Sequence, residues 1–310
     1  MINLNAQGNC ASNSKGTGLS ACIKEYGDLV GIDVYPKGYS INLTSGSLPT
    51  QQEYEKMVQN QEVFPLNSLY DFDQTTPENE TASSSTGKVK QIRPSKPQYS
   101  LTWSDGGCFH KGVYDKRGYN KWDIALKFES GILYTYNASE TEMKAFNAGV
   151  FDVDTYKFQQ GTDPDMTKVM FQLVKPNELN LRQNFITWDA LGYDMTEVNG
   201  VVDVNVNYAE TPVAGTEIKL LISSVCNSDA LIDSLDDATS WNLGGTQASP
   251  TAISAVSVEA STGALTLTLD SALSSADTVQ PRLIGSSGES AAVDAAGNFY
   301  KGSAKVAVIA

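Results

Sequence analysis

The sequence predicts a mainly β protein of two domains. The chain has 310 residues, and at about 150 residues per domain this length favours two domains. Its composition changes near residue 199, because 24 of the 28 aromatic residues and all six methionines come before that point. The dipeptide Asn199-Gly200 is a turn signal, and a β-rich run follows it. We therefore expect one domain at residues 1–198 and another at residues 199–310.

The charge of the chain argues against several functions. There are 36 acidic and 22 basic residues, which gives a net charge of -14. A general nucleic-acid-binding protein needs a basic face, so that class is disfavoured. A single histidine in the whole chain also removes most histidine-based catalytic and metal sites.

Short alternating runs predict the strands of the C-terminal domain. In residues 265–269 three leucines point to one face and two threonines to the other, as the two-residue period of a strand requires. The predicted strands are residues 201–208, 217–225, 253–258, 265–269, 278–284 and 304–309. Strands this short, with loops rich in Gly, Ser and Asp, favour a two-sheet sandwich.

The N-terminal domain is also predicted to be mainly β, with one clear helix. Thr50 and Glu53 have the spacing of a capping box, and apolar residues follow at helical spacing, so a helix is expected over residues 51–60. A second short helix is expected over residues 176–184, and residues 129–131 are expected to form a tight hairpin turn. The predicted strands are residues 29–34, 100–103, 124–128, 132–136, 155–159 and 169–173.

A polar segment of residues 74–97 interrupts this pattern. It contains no aromatic residue, and its first half is acidic while its second half is basic. The charged residues that we select as a candidate inter-subunit contact are Glu78, Glu80, Lys88, Lys90, Arg93 and Lys96. Two interpretations stand: a mobile surface loop, or an arm that orders on a neighbouring subunit. Separated charges of opposite sign suit the second, because they allow identical copies to dock.

A search for catalytic chemistry finds one weak candidate. Cys108 and His110 would share one face of a strand and could form a nucleophile–base pair. The interpretation that we favour is a buried thiol and a hydrogen-bonded histidine after the Gly106-Gly107 turn. The carboxylate pairs, which we expect to be solvated turn residues without a metal ion, are Asp152/Asp154, Asp163/Asp165 and Asp236/Asp237. The sequence thus predicts no catalytic, cofactor or metal site and no enzyme.

Five aromatic residues at 103–122 could belong to the core or could stack on sugars or bases. They are Trp103, Phe109, Tyr114, Tyr119 and Trp122. We expect them to be core residues, because most aromatic side chains in globular domains are buried.

The sequence also bears on the compartment. It has no apolar run of about 18 residues, so no membrane-spanning helix is expected. Its first residues lack a basic stretch followed by an apolar one, so we expect folding in a cytoplasm. The cysteines Cys10, Cys22, Cys108 and Cys226 are then expected to be free thiols.

The C-terminal segment GALTLTLDSALSSADTVQPRLIG, followed by VDAAGNFYKG, resembles bacterial Ig-like domains of surface and virion proteins. The features that carry this resemblance are a Leu/Thr strand, a D-x-A-L turn and a late D-A-A-G-N loop. It implies an Ig-like β-sandwich over residues 199–310, and it does not indicate a ligand.

The whole layout resembles virion proteins of tailed phages, most closely tail tube proteins, and GCFHKGVYDKRGYNKWDIALKFESG is similar to structural proteins of such phages. The resemblance implies an N-terminal β-sandwich or barrel with a flanking helix. It also implies homo-oligomeric rings stacked head to tail, with the 74–97 arm as the contact between rings. Other virion proteins would be partners, and DNA would pass without specific binding. The expected location is the virion, assembled in the bacterial cytoplasm without a membrane.

Two alternatives remain open from the sequence. One is a capsid, ring or decoration protein of the virion. The other is an adhesin-like protein whose Ig-like domain or exposed aromatic residues make weak contacts with host-surface glycans.

Overall fold

The protein is mainly β, as the sequence predicts. The structure, a computed structural model, describes residues 26–42, 48–75, 77–93, 95–136, 141–226, 232–248, 251–294 and 296–310. The chain divides into two compact units. The first unit takes Met1–Tyr54 and Val63–Val198, and the second takes Glu55–Glu62 and Asn199–Ala310.

The first unit contains fourteen strands, four α-helices and one 3-10 helix (Met195–Glu197) among the residues that the structure describes. The strands are β1 (Leu29–Pro36), β2 (Ser40–Asn42), β3 (Phe64–Leu66), β4 (Asp71–Gln74), β5 (Glu80–Ser83), β6 (Val89–Arg93), β7 (Gln98–Trp103), β8 (Gly118–Tyr119), β9 (Trp122–Phe128), β10 (Gly131–Tyr136), β11 (Glu142–Lys144), β12 (Phe146–Val153), β13 (Thr167–Leu173) and β14 (Gln183–Thr187). The helices are α1 (Gln51–Gln59), α2 (Gly106–Tyr114), α3 (Pro176–Leu181) and α4 (Trp188–Leu191).

One large sheet organises the first unit. Its strands follow the order β2-β11-β10-β9-β12-β13-β7-β4, and β1, β3, β8 and β14 pair beside this path. Strand β9 pairs with β1 and β10, and β1 pairs in turn with β3. The three strands β3, β1 and β9 therefore lie side by side. The expected hairpin is present, since β9 and β10 are antiparallel neighbours with Phe128 opposite Gly131.

Alternation along the strands builds the core of this unit. In β7 and β13 every second side chain is buried, which places Leu101, Trp103, Val169 and Phe171 inside. Three rings form a stack beside them, because Tyr99 lies 5.0 Å from Phe171 and 6.1 Å from Phe72, measured between ring centroids.

Helix α1 begins where the capping box predicts. The Glu53 carboxylate accepts hydrogen bonds from the backbone N–H of Thr50 at 2.8 Å, and the Thr50 hydroxyl accepts one from the N–H of Glu53 at 3.3 Å. These bonds satisfy two donors that a helix start leaves open. The division between the two units falls inside this helix, after Tyr54.

The second unit has two sheets around one core. Its strands are β15 (Val202–Tyr208), β16 (Gly215–Ser224), β17 (Trp241–Gly244), β18 (Ile253–Glu259), β19 (Ala264–Leu273), β20 (Thr278–Leu283), β21 (Ala292–Val293), β22 (Phe299–Lys301) and β23 (Ala307–Val308). One sheet has the order β18-β19-β16-β15-β22-β21, and the other has the order β17-β20-β23. Leucines of β19 and Val279 of β20 share the core, so both sheets contribute to it.

Two local predictions are wrong. Residues 155–159 form no strand and make only an isolated bridge, between Lys157 and Met166. Residues 106–114 form helix α2 instead of a turn followed by a strand. The Gly-Gly pair indicated a turn, but Phe109 and Val113 lie four residues apart and both pack on the core, which is the spacing of a buried helix face.

Candidate assembly interface

The polar segment of residues 74–97 forms the outer part of one long β-hairpin. Strands β4 and β7 pair with Asp71 opposite Thr102 and Gln74 opposite Tyr99. Six residues farther along each strand, Glu80 of β5 lies opposite Arg93 of β6. The first pair of β5/β6 is therefore in the same register as β4/β7, and an irregularity between Glu80 and Thr81 follows. We call residues 71–103 the long hairpin.

Local hydrogen bonds close the tip and the middle of the long hairpin. At the tip, Ser84 N–H donates to Lys88 O at 2.8 Å, and Gly87 takes a φ of +78°, which a side chain would disfavour. In the middle, Ser95 N–H donates to Asn79 Oδ1 at 2.8 Å. The segment is thus an ordered two-stranded extension rather than an irregular loop.

The six predicted contact residues all lie in the outer half of the long hairpin. Glu78, Lys88, Lys90 and Lys96 are exposed. Glu80 and Arg93 face each other in the backbone register. The acidic strand and the basic strand are therefore antiparallel neighbours within one chain, so their opposite charges run alongside each other.

The base of the long hairpin forms an edge of the large sheet. Strand β4 pairs only with β7 within the described residues, and all four of its side chains are exposed. Tyr70 and Phe72 expose 59% and 41% of their surface, which is unusual for large apolar side chains at a sheet edge. Asp71 Oδ1 accepts a hydrogen bond from the Phe72 N–H at 2.9 Å, so one backbone donor of this edge strand already has a partner.

The Cys108/His110 pair does not form a catalytic dyad. Both residues lie in α2, where positions two apart point in different directions. Cys108 and Cys226 are each disulfide-bonded, which corrects the expectation of free thiols and leaves Cys108 without a thiolate to act as a nucleophile. Cys10 and Cys22 lie outside the described residues. The His110 ring packs against Tyr114 and Tyr156, at 5.5 and 5.2 Å between centroids.

The five aromatic residues at 103–122 divide between core and surface. Trp103 is fully buried, while Phe109 and Trp122 are partly buried against the same core. Tyr119 is 81% exposed and Tyr114 is 36% exposed, so these two are not core residues. Phe158 is also 77% exposed, and its ring meets Tyr156 at 5.1 Å. The first unit therefore presents several aromatic rings to solvent.

The carboxylate pairs have local structural roles. Asp165 accepts a hydrogen bond from the Tyr156 hydroxyl at 2.5 Å, and Asp237 accepts one from the N–H of Thr239 at 2.8 Å. No group of three or more potential metal-ligating side chains occurs within the described part of the chain.

The D-A-A-G-N loop of the second unit is built around one carboxylate. Asp294 Oδ1 accepts hydrogen bonds from the N–H groups of Ala296 and Asn298, both at 2.9 Å, and Oδ2 accepts one from the Ser234 hydroxyl at 3.0 Å. Desolvation raises the pKa of Asp294, but the hydrogen bonds from Asn298 and Ser234 outweigh it and lower that pKa overall.

A buried polar cluster in the first unit escaped the sequence reasoning. Asp33 stands in the middle of β1, and Lys127 interrupts the apolar run of residues 124–128 in β9; both side chains are completely buried. A charged residue inside each of two apolar runs is the signal that could have revealed the pair, because an isolated charge is too costly to bury.

No protein-family model matches the chain, and no curated protein is significantly similar to it. Across the described residues, the helices are all too short or too polar to cross a bilayer.

Proposed function

We propose that the protein is a structural subunit of a tailed-phage virion that assembles with copies of itself to form the stacked rings of a tail tube. The observation that carries this proposal is the long hairpin. Its outer part extends an edge of the large sheet through the paired strands β5 and β6, where the side chains of residues 81–90 are all exposed. An extension that leaves these side chains exposed is suited to a contact with another chain.

The edge of the large sheet supports the same proposal. Strand β4 offers backbone groups along its free edge, and Tyr70 and Phe72 offer apolar surface beside them. A neighbouring copy would cover both. Contacts of this head-to-tail kind repeat without closing between rings, so they can build a filament.

Charge supports the passage of DNA through such a tube. The exposed Asp71, Asp73 and Glu78 follow one another along the first strand of the long hairpin, in a chain with a net charge of -14. An acidic lumen repels phosphate groups, so DNA would pass without binding.

The test is electron microscopy of a variant that lacks the outer part of the long hairpin. The Thr75 N–H donates to Gln98 O at 2.9 Å, so these two residues can flank a two-residue turn. Replacing residues 76–97 by Asn-Gly keeps the base and supplies a favoured hairpin turn. We expect the full chain to form tubes or stacked rings and the shortened chain to remain unassembled.

The paired control separates assembly from folding. The double variant Lys88→Glu/Lys90→Glu changes only exposed side chains of the long hairpin, and Lys305→Glu makes a similar change in the second unit. We expect the first variant to weaken assembly and the second to leave it intact. Normal tubes from the shortened chain would exclude the long hairpin as the contact.

A capsid, ring or decoration protein is the alternative within the virion. Closed rings that never stack, or binding only to preformed particles, would favour this alternative over a tail tube.

A glycan-binding, adhesin-like protein is a second candidate, and two observations favour it. Cys108 and Cys226 are disulfide-bonded, and disulfides persist mainly in oxidising compartments outside the cytoplasm. The exposed rings of Tyr119 and Phe158 are also of the type that stacks on sugars. A glycan array with the full chain tests this candidate, with Tyr119→Ala as the binding variant and the exposed Val213→Ala as the control.

A further inference from the structure

The buried polar cluster of the first unit brings together an amine, a carboxamide and a carboxylate. Lys127 Nζ lies 2.7 Å from Asp33 Oδ1, and both side chains have no exposed surface. The same Nζ donates a hydrogen bond to Oδ1 of Asn67. The amine of Lys127 therefore touches both the carboxylate and the carboxamide.

The fold positions these three groups through three adjacent strands. Lys127 is on β9, Asp33 is on β1, and Asn67 directly follows β3. Gly31 lies opposite Lys127 in the β1/β9 register, on the same face as Asp33. A Cβ at Gly31 would lie 2.5 Å from the Leu66 carbonyl oxygen and 3.1 Å from Asn67 Cα. The missing side chain lets Asn67 approach Lys127.

Each partner group is held in place by further hydrogen bonds. Asn67 Nδ2 donates to the carbonyl oxygens of Thr196 and Val198 at 3.0 and 2.9 Å, which leaves Oδ1 directed at Lys127. The Tyr54 hydroxyl donates to Asp33 at 2.9 Å, and the Tyr35 hydroxyl donates to it at 3.3 Å. The carboxamide and the carboxylate are thus both oriented towards one amine.

We propose that Lys127 and Asn67 form an intramolecular isopeptide bond, with Asp33 as the catalytic residue that transfers the protons. The geometry meets the requirement of an acyl transfer, since a nucleophile, a base and an acyl carbon lie in contact. The carbonyl carbon of Asn67 is one bond of about 1.2 Å beyond the oxygen that Lys127 already contacts.

The bond changes balance without an oxidant or a further reactant. Asp33 takes one proton from the Lys127 ammonium group, and the freed lone pair of Nζ attacks Cγ of Asn67. A second proton moves from Nζ to Nδ2, and the Cγ–Nδ2 bond breaks. Ammonia leaves past the carbonyl groups of Thr196 and Val198 and takes the proton from Asp33. One secondary amide and one ammonium ion are formed, and Asp33 returns to its carboxylate form.

Burial favours this reaction over a simple ion pair. Desolvation lowers the pKa of Lys127, although Asp33 opposes it, so the nucleophilic neutral amine is easier to reach. A buried ion pair also carries a large desolvation cost, which conversion of the amine to an amide removes. The fully buried Tyr35 and Tyr54 exclude water that would compete for the acyl carbon.

The test is a tryptic digest of the full wild-type chain after reduction and alkylation. Trypsin would release residues 57–88, which contain Asn67, and would cut after Lys127 if its amine were free. We expect residues 57–88 to be joined to residues 122–144, with no cut at Lys127 and a mass lower than the sum of the two peptides by one ammonia. Separate peptides with cleavage after Lys127 would overturn the proposal, and this result needs no variant to fold.

The role of Asp33 is tested by a matched pair of carboxylate variants. Asp33→Asn removes the proton-transferring group, and we expect it to abolish the joined peptide while far-ultraviolet circular dichroism remains that of a β protein. Asp123→Asn removes another buried carboxylate of the same sheet, which pairs with Lys37 at 3.6 Å, and should leave the joined peptide at its wild-type level. An undiminished joined peptide in Asp33→Asn would exclude Asp33 as the catalyst.

Discussion

Single residues decide the local structure of the second unit, and Asp294 is the clearest example. It gathers two backbone N–H groups and a serine hydroxyl at its two oxygens. Its hydrogen bonds stabilise the ionised form, so the loop depends on the charge of this residue.

We expect Asp294→Ala to lower the free energy of unfolding by about 1–3 kcal/mol at neutral pH, because it leaves these donors unpaired. The pKa of Asp294 is lowered in the folded state, so its contribution is present above the ordinary value of 3.8 and is lost as the pH falls through the lower folded pKa. Urea unfolding of the wild type and Asp294→Ala from pH 7 to pH 3 measures this difference in the free energy of unfolding. The control Asp236→Ala, at an exposed residue, should change the free energy of unfolding little. If Asp294→Ala lost the same free energy at every pH, the stabilisation would not depend on the ionised form of Asp294.

Gly31 acts at the same scale in the first unit. Gly31→Ala should cost about 1–3 kcal/mol, because the added methyl group meets backbone atoms of Leu66 and Asn67 that cannot rotate away. Gly112→Ala is the matched control: it lies in α2, and beyond the nearby helix backbone nothing lies within 4 Å of the added carbon. Thermal unfolding should show a lower midpoint for the first variant and an unchanged or higher midpoint for the second. A neutral Gly31→Ala would show that Asn67 does not need this close approach.

At the scale of elements, sequence reasoning succeeded where one local pattern determines the outcome. The start of α1 follows from Thr50 and Glu53, and β19 follows from its alternating leucines and threonines. It failed for α2, where Gly106 and Gly107 concealed a helical pattern, and for the pairing of Asp33 with Lys127 and Asn67. Those contacts join residues far apart in the chain, so no local pattern contains them.

The capping box provides the prediction at this scale. Thr50→Ala should lower stability by about 1 kcal/mol, because the N–H of Glu53 loses its acceptor. Glu53→Gln keeps an acceptor for the Thr50 N–H and should cost less. The urea midpoints of the two variants compare these costs. A larger loss for Glu53→Gln than for Thr50→Ala would show that the charge of Glu53 matters more than the hydroxyl acceptor of Thr50.

At the scale of the whole molecule, covalent links limit how far the chain can unfold. The proposed amide closes a loop of about 60 residues, and the chain-entropy relation assigns about 4 kcal/mol to a link of that span. Unlike the disulfides, this bond survives reducing agents. A reduced sample should therefore keep one link in the first unit.

The disulfides provide a prediction of their own. Alkylation of the unfolded, unreduced chain should leave Cys108 and Cys226 unmodified, and reduction should make both reactive. Loss of a disulfide at these residues should cost about 2–4 kcal/mol, read as a lower thermal midpoint under reducing agent. Alkylation of both residues before reduction would restore the expectation of free thiols.

The two-residue alternation along the strands of the long hairpin has a consequence for how such a protein can vary. Because successive side chains alternate between two faces, a regularly paired insertion that keeps the tip facing the same way must add two residues to each strand. Each such addition lengthens the extension by about 7 Å. The reach of this molecule can therefore change only in discrete steps, and variants of different length would set the spacing of their neighbours in multiples of one fixed increment.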